Sequence, residues 1–132
     1  MSAVVSPKAL PKDADTIALR TAANILDKWK ASSKQASKIL RVSPTTIFRA
    51  KSKTRDVSLD EDQMMRVSLI LNMHSALGII FENPVNVYGF VNMKNNNEFF
   101  NGRSPMEVIE TGSLINLYET FKRIDGLRGA QW

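Results

Sequence analysis

The sequence contains no cysteine and a single histidine in 132 residues. A chain without thiols forms no disulfide, thiolate metal site or cysteine nucleophile, and this usage fits a reducing compartment such as the cytoplasm. No targeting signal is expected, because the first residues lack a continuous apolar segment. The longest apolar stretch, residues 64–81, is interrupted by Arg66 and by several small or polar residues. No contact with a membrane is therefore expected.

Motifs for catalysis are also missing. The sequence has no Gly-x-Ser-x-Gly elbow, no phosphate-binding glycine loop and no zinc-spaced set of histidines and cysteines. His74 lies within the apolar stretch, where a packed and hydrogen-bonded core histidine is the simpler interpretation. Asp60, Glu61 and Asp62 are explained by the first turn of a helix, whose dipole favours acids there. We therefore expect a protein that is not an enzyme and needs no cofactor or metal.

Acidic residues are absent between Lys28 and Arg55, a segment with nine Lys and Arg residues. Residues 1–55 hold 12 basic against 3 acidic residues, net +9, whereas residues 56–132 hold 6 against 10, net −4. A basic half joined to an acidic half indicates two different partners, of which the first is a polyanion.

Apolar periodicity and capping signals predict an all-α protein, since no segment carries a strand signal. Helices are expected over 16–30, from Ser32 or Ser33 to Leu40, from Pro44 onward, from a Ser58–Glu61 capping box to Phe81, over 85–93, from Pro105 until Gly112 closes it, and over 113–125. The helix that reaches Phe81 is apolar on nearly every side, so it should lie at the centre of the fold or in a dimer interface. The last helix should bury one face and pair Glu119 with Arg123. That face consists of Leu114, Leu117, Tyr118, Phe121 and Ile124.

Residues 35–49, QASKILRVSPTTIFR, have the pattern of a helix-turn-helix motif. Its second helix would enter the major groove of DNA, where Phe48 suits a thymine methyl group and Arg49 a guanine or a phosphate. Arg41 occupies the turn position where glycine is common. The alternative is that these two short helices belong only to an all-α core. The candidate DNA contacts are Lys34, Gln35, Lys38, Ser43, Thr45, Thr46, Phe48, Arg49 and Lys51.

Together with two later segments, FFNGRSPMEVIETG (residues 99–112) and LRGAQW (residues 127–132), this motif resembles the Xre/MbcA/ParS-type antitoxins. These proteins are the DNA-binding halves of toxin–antitoxin pairs whose toxins carry a RES domain. The resemblance implies an N-terminal Xre-like helix-turn-helix domain and a small helical toxin-binding domain. It also implies a homodimer that binds operator DNA and masks a toxin that consumes NAD or transfers ADP-ribose. The expected bounds are a tail over 1–15, DNA binding over 16–57, and dimerisation and toxin binding over 58–132.

The resemblance also assigns toxin recognition to residues 101–132. The candidate residues are Gly102, Arg103, Ser104, Arg123, Arg128, Gly129, Gln131 and Trp132. Trp132 is either an interface anchor or folds back on its own core, and the alternative for Arg103 is a bond with a neighbouring carboxylate. Glu107 and Glu110 are interpreted as a solvated helix face. The glycine-rich end from Leu127 is expected to be loosely held and to enter the toxin's nucleotide pocket.

Two other functions stay open at the level of sequence. The chain could be a stand-alone helix-turn-helix regulator whose second half only dimerises or binds a small ligand. A small hydrolase that uses His74 is the remaining and weakest alternative.

Overall fold

The computed structural model describes residues 13–130, except for the side chain of Ala130. Seven α-helices and no strand lie within this range, as predicted for an all-α protein. A single 3₁₀ turn, Phe90–Asn92, follows the fifth α-helix. The helices are α1 Ala14–Lys28, α2 Ser33–Leu40, α3 Pro44–Ser52, α4 Glu61–Ile80, α5 Pro84–Gly89, α6 Pro105–Ile109 and α7 Leu114–Ala130.

Local capping signals explain most helix starts. Ser32 and Ser104 form capping boxes with the residues three positions later, and Ser43 accepts a hydrogen bond from the Thr46 backbone N–H at 3.1 Å. The capping box predicted at Ser58 is wrong, because Asp60 caps α4 together with Gln63. Residues 57–59 are instead held against the start of α1. There the Val57 and Leu59 N–H groups donate to the side chains of Thr16 and Asp15, both at 2.8 Å.

The apolar helix α4 lies at the centre of the fold, as its sequence predicted. One side packs against α1 and another against α7. Both apolar faces of the helix are therefore covered by neighbouring helices. The residues of α4 that are completely buried are Val67, Ile70, Met73 and Leu77. Because α1 belongs to the basic half and α7 to the acidic half, α4 joins the two halves through a shared core.

Arg66 is the buried polar residue at this junction. Its guanidinium Nη1 donates to the backbone oxygens of Ile39 and Gly112, at 3.2 and 2.8 Å. Its Nε donates to Asp62 at 3.0 Å. One side chain thereby connects the end of α2, the first turns of α4 and the turn between α6 and α7. Sequence analysis treated Arg66 only as an interruption of an apolar run.

The second half departs from the predicted helices in two places. The helix predicted over 85–93 ends at Gly89 and tightens into the 3₁₀ turn, while α7 continues through Gly126 and Gly129 to Ala130 instead of ending near Asp125. Arg128 reaches back across Gly126 to Asp125 at 2.6 Å, and each glycine costs a helix only about 1 kcal/mol relative to alanine. The predicted buried face of α7 is wrong at one position: Tyr118 was expected to be buried but is 48% exposed, and Thr120 is fully buried instead.

His74 is packed as expected, with its imidazole stacked on the Tyr88 ring at a centroid separation of 5.5 Å. Among the described residues, its buried Nδ1 has no hydrogen-bond partner, so the expected hydrogen bond is not found there. Burial, and secondarily the nearby Lys28 ammonium, lowers the pKa of His74 below its usual value. Within residues 13–130, no helix combines the length and apolarity needed to cross a membrane.

Candidate nucleic-acid interface

The turn between α2 and α3 is built around Arg41, which adopts the left-handed conformation with φ 56° and ψ 41°. A non-glycine residue therefore occupies the strained turn position. Its backbone oxygen accepts a hydrogen bond from Gln63 at 2.8 Å, and its guanidinium binds Asp62 at 2.6 Å and also Asp60. These contacts fix the turn against the start of α4.

The same contacts change the acidity of both carboxyl groups. The Gln63 backbone N–H and then Arg41 hold the pKa of Asp60 below its usual value. For Asp62 the main cause of a lowered pKa is its hydrogen bond with Arg41. Both carboxylates are therefore ionised at neutral pH and neutralise the turn arginine, which stays positively charged.

Helix α3 rests on α1 through its inner face. Ile47 and Ala50 are buried, as predicted, and Arg20 of α1 donates from Nε to the Ala50 oxygen at 2.8 Å. Lys51 pairs with Asp27 at the end of α1. The structure thus gives Lys51, a predicted DNA contact, an internal partner, and it adds Arg20 as a residue that holds α3 in place.

The opposite face of α3 is open. Thr45, Phe48 and Ser52 are exposed and Arg49 is half-buried, in the outward orientation that the helix-turn-helix interpretation requires. Phe48 is 65% exposed and borders a groove of about 410 Å³ between the start of α2 and α3. An aromatic ring this exposed beside a groove is available for contact with a partner.

The other predicted contacts differ in how freely they face solvent. Lys34 and Lys38 are exposed on α2, and Lys38 also packs over Gly112, where an added Cβ would lie 2.9 Å from its Cγ. Gln35 is engaged at both ends, since its Oε1 accepts from the Ser32 N–H at 2.7 Å and its Nε2 donates to Glu110 at 2.9 Å. Ser43 and Thr46 bond each other in the cap of α3, with 2.9 Å between their hydroxyl oxygens.

The charges of this surface are distributed unevenly. Three acids outside the acid-free segment, Asp27, Asp60 and Asp62, are paired with Lys51 and Arg41. No ion pair within residues 13–130 involves Lys34, Lys38 or Arg49. Lys34, Lys38 and Arg49 therefore give the outer face of α2 and α3 positive charge that no ion pair with a described carboxylate offsets, as a surface that binds the phosphate backbone requires.

The second candidate surface surrounds Gly102 and Arg103. Gly102 has φ +86°, a conformation that favours glycine, and its N–H donates to the Asn95 oxygen at 2.8 Å to close the loop before α6. Arg103 bonds the backbone oxygens of Phe99 and Phe100, both at 2.8 Å, rather than a neighbouring carboxylate. Ser104 is buried as the N-cap of α6, so it can shape a partner surface only through the turn that it holds.

Phe99 brings two of the predicted residues together. The guanidinium carbon of Arg123 lies 4.7 Å from the centre of its ring and that of Arg103 lies 6.0 Å away, while Arg123 also pairs with Glu119 at 2.7 Å, as predicted. Phe99 was not among the predicted site residues, although an aromatic pair precedes the Asn-Gly-Arg segment of the sequence. We refer to Phe99, Arg103 and Arg123 as the Phe99 cluster.

The acids of this half were interpreted too simply. Glu107 caps α6 with Ser104 and pairs with Lys94 at 3.1 Å, and Glu110 binds Gln35. The Glu107 carboxylate accepts hydrogen bonds from the Ser104 backbone N–H and from Lys94, and these bonds, the first more than the second, lower the pKa of Glu107. Neither residue is simply part of a solvated face.

At the end of α7, Gly129 is helical and exposed, and Arg128 pairs with Asp125. Gln131 and Trp132 lie outside the described residues. Within the described range, no group of three or more His, Cys, Asp or Glu side chains is arranged to hold a metal ion.

The helical fold and the basic outer face of α3 define an all-α protein with an N-terminal helix-turn-helix domain. Residues 8–72 match the family model of the antitoxin Xre-like helix-turn-helix domain. The match supports an Xre-type antitoxin and a DNA-binding regulator. The chain is also similar to the uncharacterized protein y4oB of Sinorhizobium fredii, with 29% identity over 105 residues that cover 80% of this chain and 79% of that protein.

Proposed function

We propose that this chain is a cytoplasmic antitoxin that represses its own operon by binding operator DNA through α3, and that it neutralises a cognate RES-domain toxin. The observation that carries the DNA-binding part is the exposed Phe48 beside Arg49 on a face without carboxylates. In this arrangement the N-terminal residues of α3 approach the base edges, and the lysines of α2 meet phosphates.

The test of DNA binding separates base recognition from phosphate contacts. Arg49→Ala should lower affinity for the DNA upstream of the gene by about 5- to 100-fold and relax the sequence preference at one position, as expected for loss of a base contact. Lys34→Ala should weaken binding to all DNA sequences alike. It should also reduce the slope of log affinity against log salt concentration by about one, as expected for the loss of one phosphate contact. Lys34 is a cleaner probe of phosphate contact than Lys38, whose side chain also packs over Gly112.

Lys122→Ala is the control for this experiment, because it removes one exposed positive charge from α7, in the other half of the chain. Operator affinity at moderate salt should stay unchanged in this variant. If Arg49→Ala and Lys34→Ala behave like Lys122→Ala, α3 is not the element that reads DNA.

For the toxin, the resemblance supplies the RES-domain partner and the Phe99 cluster supplies the contact. Arginine and aromatic residues are frequent anchors of protein interfaces, and the stacking of Arg103 and Arg123 on one ring orders all three side chains before a partner arrives. A preorganised cluster loses less side-chain entropy on binding than three separate flexible residues.

Arg123→Ala should therefore reduce co-purification with the product of the adjacent gene and reduce growth rescue during toxin expression. Its neighbour in the chain provides the matched control: Lys122→Ala removes the same charge one position away and should leave both readouts intact. Operator binding should be unaffected in either variant. Equal rescue by the two variants would remove the Phe99 cluster from the proposed toxin contact.

Deletion of residues 127–132 tests the contribution of the chain end. Because α7 continues to Ala130, the deletion removes a helical turn that includes Arg128 and not only a loose tail. We expect operator binding to persist and toxin inhibition to fall, measured as growth rescue and as NAD loss in a purified mixture. Full protection by the shortened chain would contradict a role of this end in neutralisation.

We also propose a homodimer whose interface includes α4. Ile79 is 63% exposed on this central helix and borders, with Phe121 of α7, a cleft of about 190 Å³. Ile79→Asp should shift the mass measured by light scattering at micromolar concentration toward the monomer. Val85→Asp, at an even more exposed apolar position on α5, should not. A wild-type mass equal to one chain would contradict the dimer.

A further inference from the structure

A cleft of about 600 Å³ lies between the end of α1 and α5, away from the outer face of α3 and from the Phe99 cluster. Its surface is mostly apolar, and its volume lies within the range of sites that bind small organic molecules. Seven residues line it. They are Lys28, Lys30, Pro84, Val85, Tyr88, Gly89 and Asn92.

The walls of the cleft are held in place by specific contacts. Asn92 donates from Nδ2 to the Trp29 backbone oxygen at 2.7 Å, which ties the 3₁₀ turn to the end of α1. The Tyr88 ring stacks on His74 with 19° between the ring planes, and the Lys28 ammonium lies 5.0 Å from its centre. The cleft therefore exists before any ligand arrives, and its aromatic ring has a fixed orientation.

The two lysines of the cleft come from the end of α1 and the turn that follows it, and most of its apolar surface comes from α5. Lys28 and Lys30 stand on one side, and no carboxylate is among the lining residues. Asp27, the adjacent acid in the chain, is already paired with Lys51. Across the cleft, Val85 is 74% exposed and presents an apolar surface to solvent. An occupant that matches this site has an anionic group at one end and a flat apolar body at the other.

We propose that this cleft binds a small organic anion whose flat apolar body lies against Val85 and the exposed part of Tyr88 and whose carboxylate or phosphate meets Lys28 and Lys30. The site is separate from the proposed DNA and toxin contacts, and it gives the chain a binding function for a third kind of partner. Because it involves α1, α5 and the 3₁₀ turn, it combines residues from both halves of the sequence.

The probe is 1-naphthoate, with the neutral 1-naphthamide as a matched ligand of the same shape. Each ligand is titrated into the full chain, and binding is followed by amide chemical shifts. The shifts of residues 28–30 and 85–92 should change at a concentration about fivefold or more lower for naphthoate than for naphthamide. The double variant Lys28→Gln/Lys30→Gln should remove this preference for the anion, because only the charge of the rim has changed.

Gly89 allows the cleft to be filled without strain. It has φ −90° and ψ −23°, and a Cβ added there would meet no other atom within 4 Å. Gly89→Leu should therefore keep the helical circular dichroism and lose naphthoate binding. Gly126→Leu, at a glycine of α7 that is equally unobstructed, is the control and should bind normally. If Gly89→Leu fails to fold, Val85→Asp replaces it, since a carboxylate at that exposed position repels the anion.

Three results would overturn the proposal. Naphthoate and naphthamide could bind equally, the shifts could lie away from the cleft, or Gly89→Leu could bind as well as the wild type. A fourth concerns DNA: if Lys28→Gln/Lys30→Gln weakens binding to all DNA sequences and leaves naphthoate binding unchanged, the two lysines are phosphate contacts and the cleft is not an anion site.

Discussion

Arg66 illustrates how a single side chain can determine the relation between distant segments. It is 7% exposed, and it bonds two backbone oxygens, those of Ile39 and Gly112, that are far apart in the sequence. Its third contact, Asp62, is shared with Arg41 in the turn before α3. The charge is buried, but the hydrogen bonds compensate for the loss of water.

Arg66→Met should lower the free energy of unfolding by about 2–4 kcal/mol, because two backbone oxygens lose their donor while the volume of the side chain is largely kept. Arg123→Met, which breaks an ion pair at the surface, should cost less than about 1 kcal/mol. Urea unfolding of the two variants measures both values. Equal losses would show that the buried contacts of Arg66 contribute no more than a surface pair.

At the scale of elements, the helices begin where side chains cap them and end where packing allows. Ser32, Ser43 and Ser104 start helices at the predicted positions. The end of α7 could not be predicted in the same way, since Gly126 and Gly129 suggested a loose tail. Packing on α4 through Leu117 and Ile124 sustains the helix beyond them.

Two glycines should respond oppositely to the same substitution. Gly126→Ala should raise the free energy of unfolding by about 0.5–1 kcal/mol, because an added Cβ on this helical residue meets open space. Gly112→Ala should lower it by more than about 1 kcal/mol, since Gly112 has φ +82° and the Cβ would approach Lys38 too closely. Thermal or urea unfolding compares the pair. Destabilisation by Gly126→Ala would mean that α7 does not continue through this position in solution.

The whole molecule places opposite charges where its two halves meet. Arg41 of the basic half binds Asp60 and Asp62 at the start of α4, and Gln35 binds Glu110 of the acidic half. The acidic residues at this boundary thus hold the helix-turn-helix against the rest of the chain, and they leave the outer face of α3 positive.

This arrangement predicts a loss of stability in acid. The pKa values of Asp60 and Asp62 are lowered in the folded chain from a usual value of 3.8, so the unfolded chain binds more protons as the pH falls. Their contribution is fully present above about pH 5, begins to fall near the usual value and is lost as the pH drops through the folded values.

The measurement is urea unfolding between pH 7 and pH 3. Asp60→Asn/Asp62→Asn should be less stable than the wild type at pH 7 and should show a smaller further loss toward pH 3. Glu61→Gln, which changes a neighbouring carboxylate outside the Arg41 contacts, is the control. An unchanged pH dependence in the double variant would exclude the boundary pairs as its source.

The all-α class, the helix-turn-helix and the outward face of α3 could all be predicted from the amino-acid sequence. Each depends on signals within a few residues: helical periodicity, serine caps and the alternation of Ile47 and Ala50 with Phe48 and Arg49. Such local preferences act before any tertiary contact forms. They also explain the wrong start of α4, because Ser58 and Asp60 are both good caps and contacts with α1 decided between them.

Contacts between residues far apart in the sequence could be identified only from the tertiary structure. The contacts of Arg66 with Gly112, of Phe99 with Arg123 and of Gln35 with Glu110 join residues 24 to 75 positions apart. The cleft between α1 and α5 arises in the same way. Such contacts depend on how helices cross around α4, and no pattern of neighbouring residues encodes that crossing because it results from packing of the whole core.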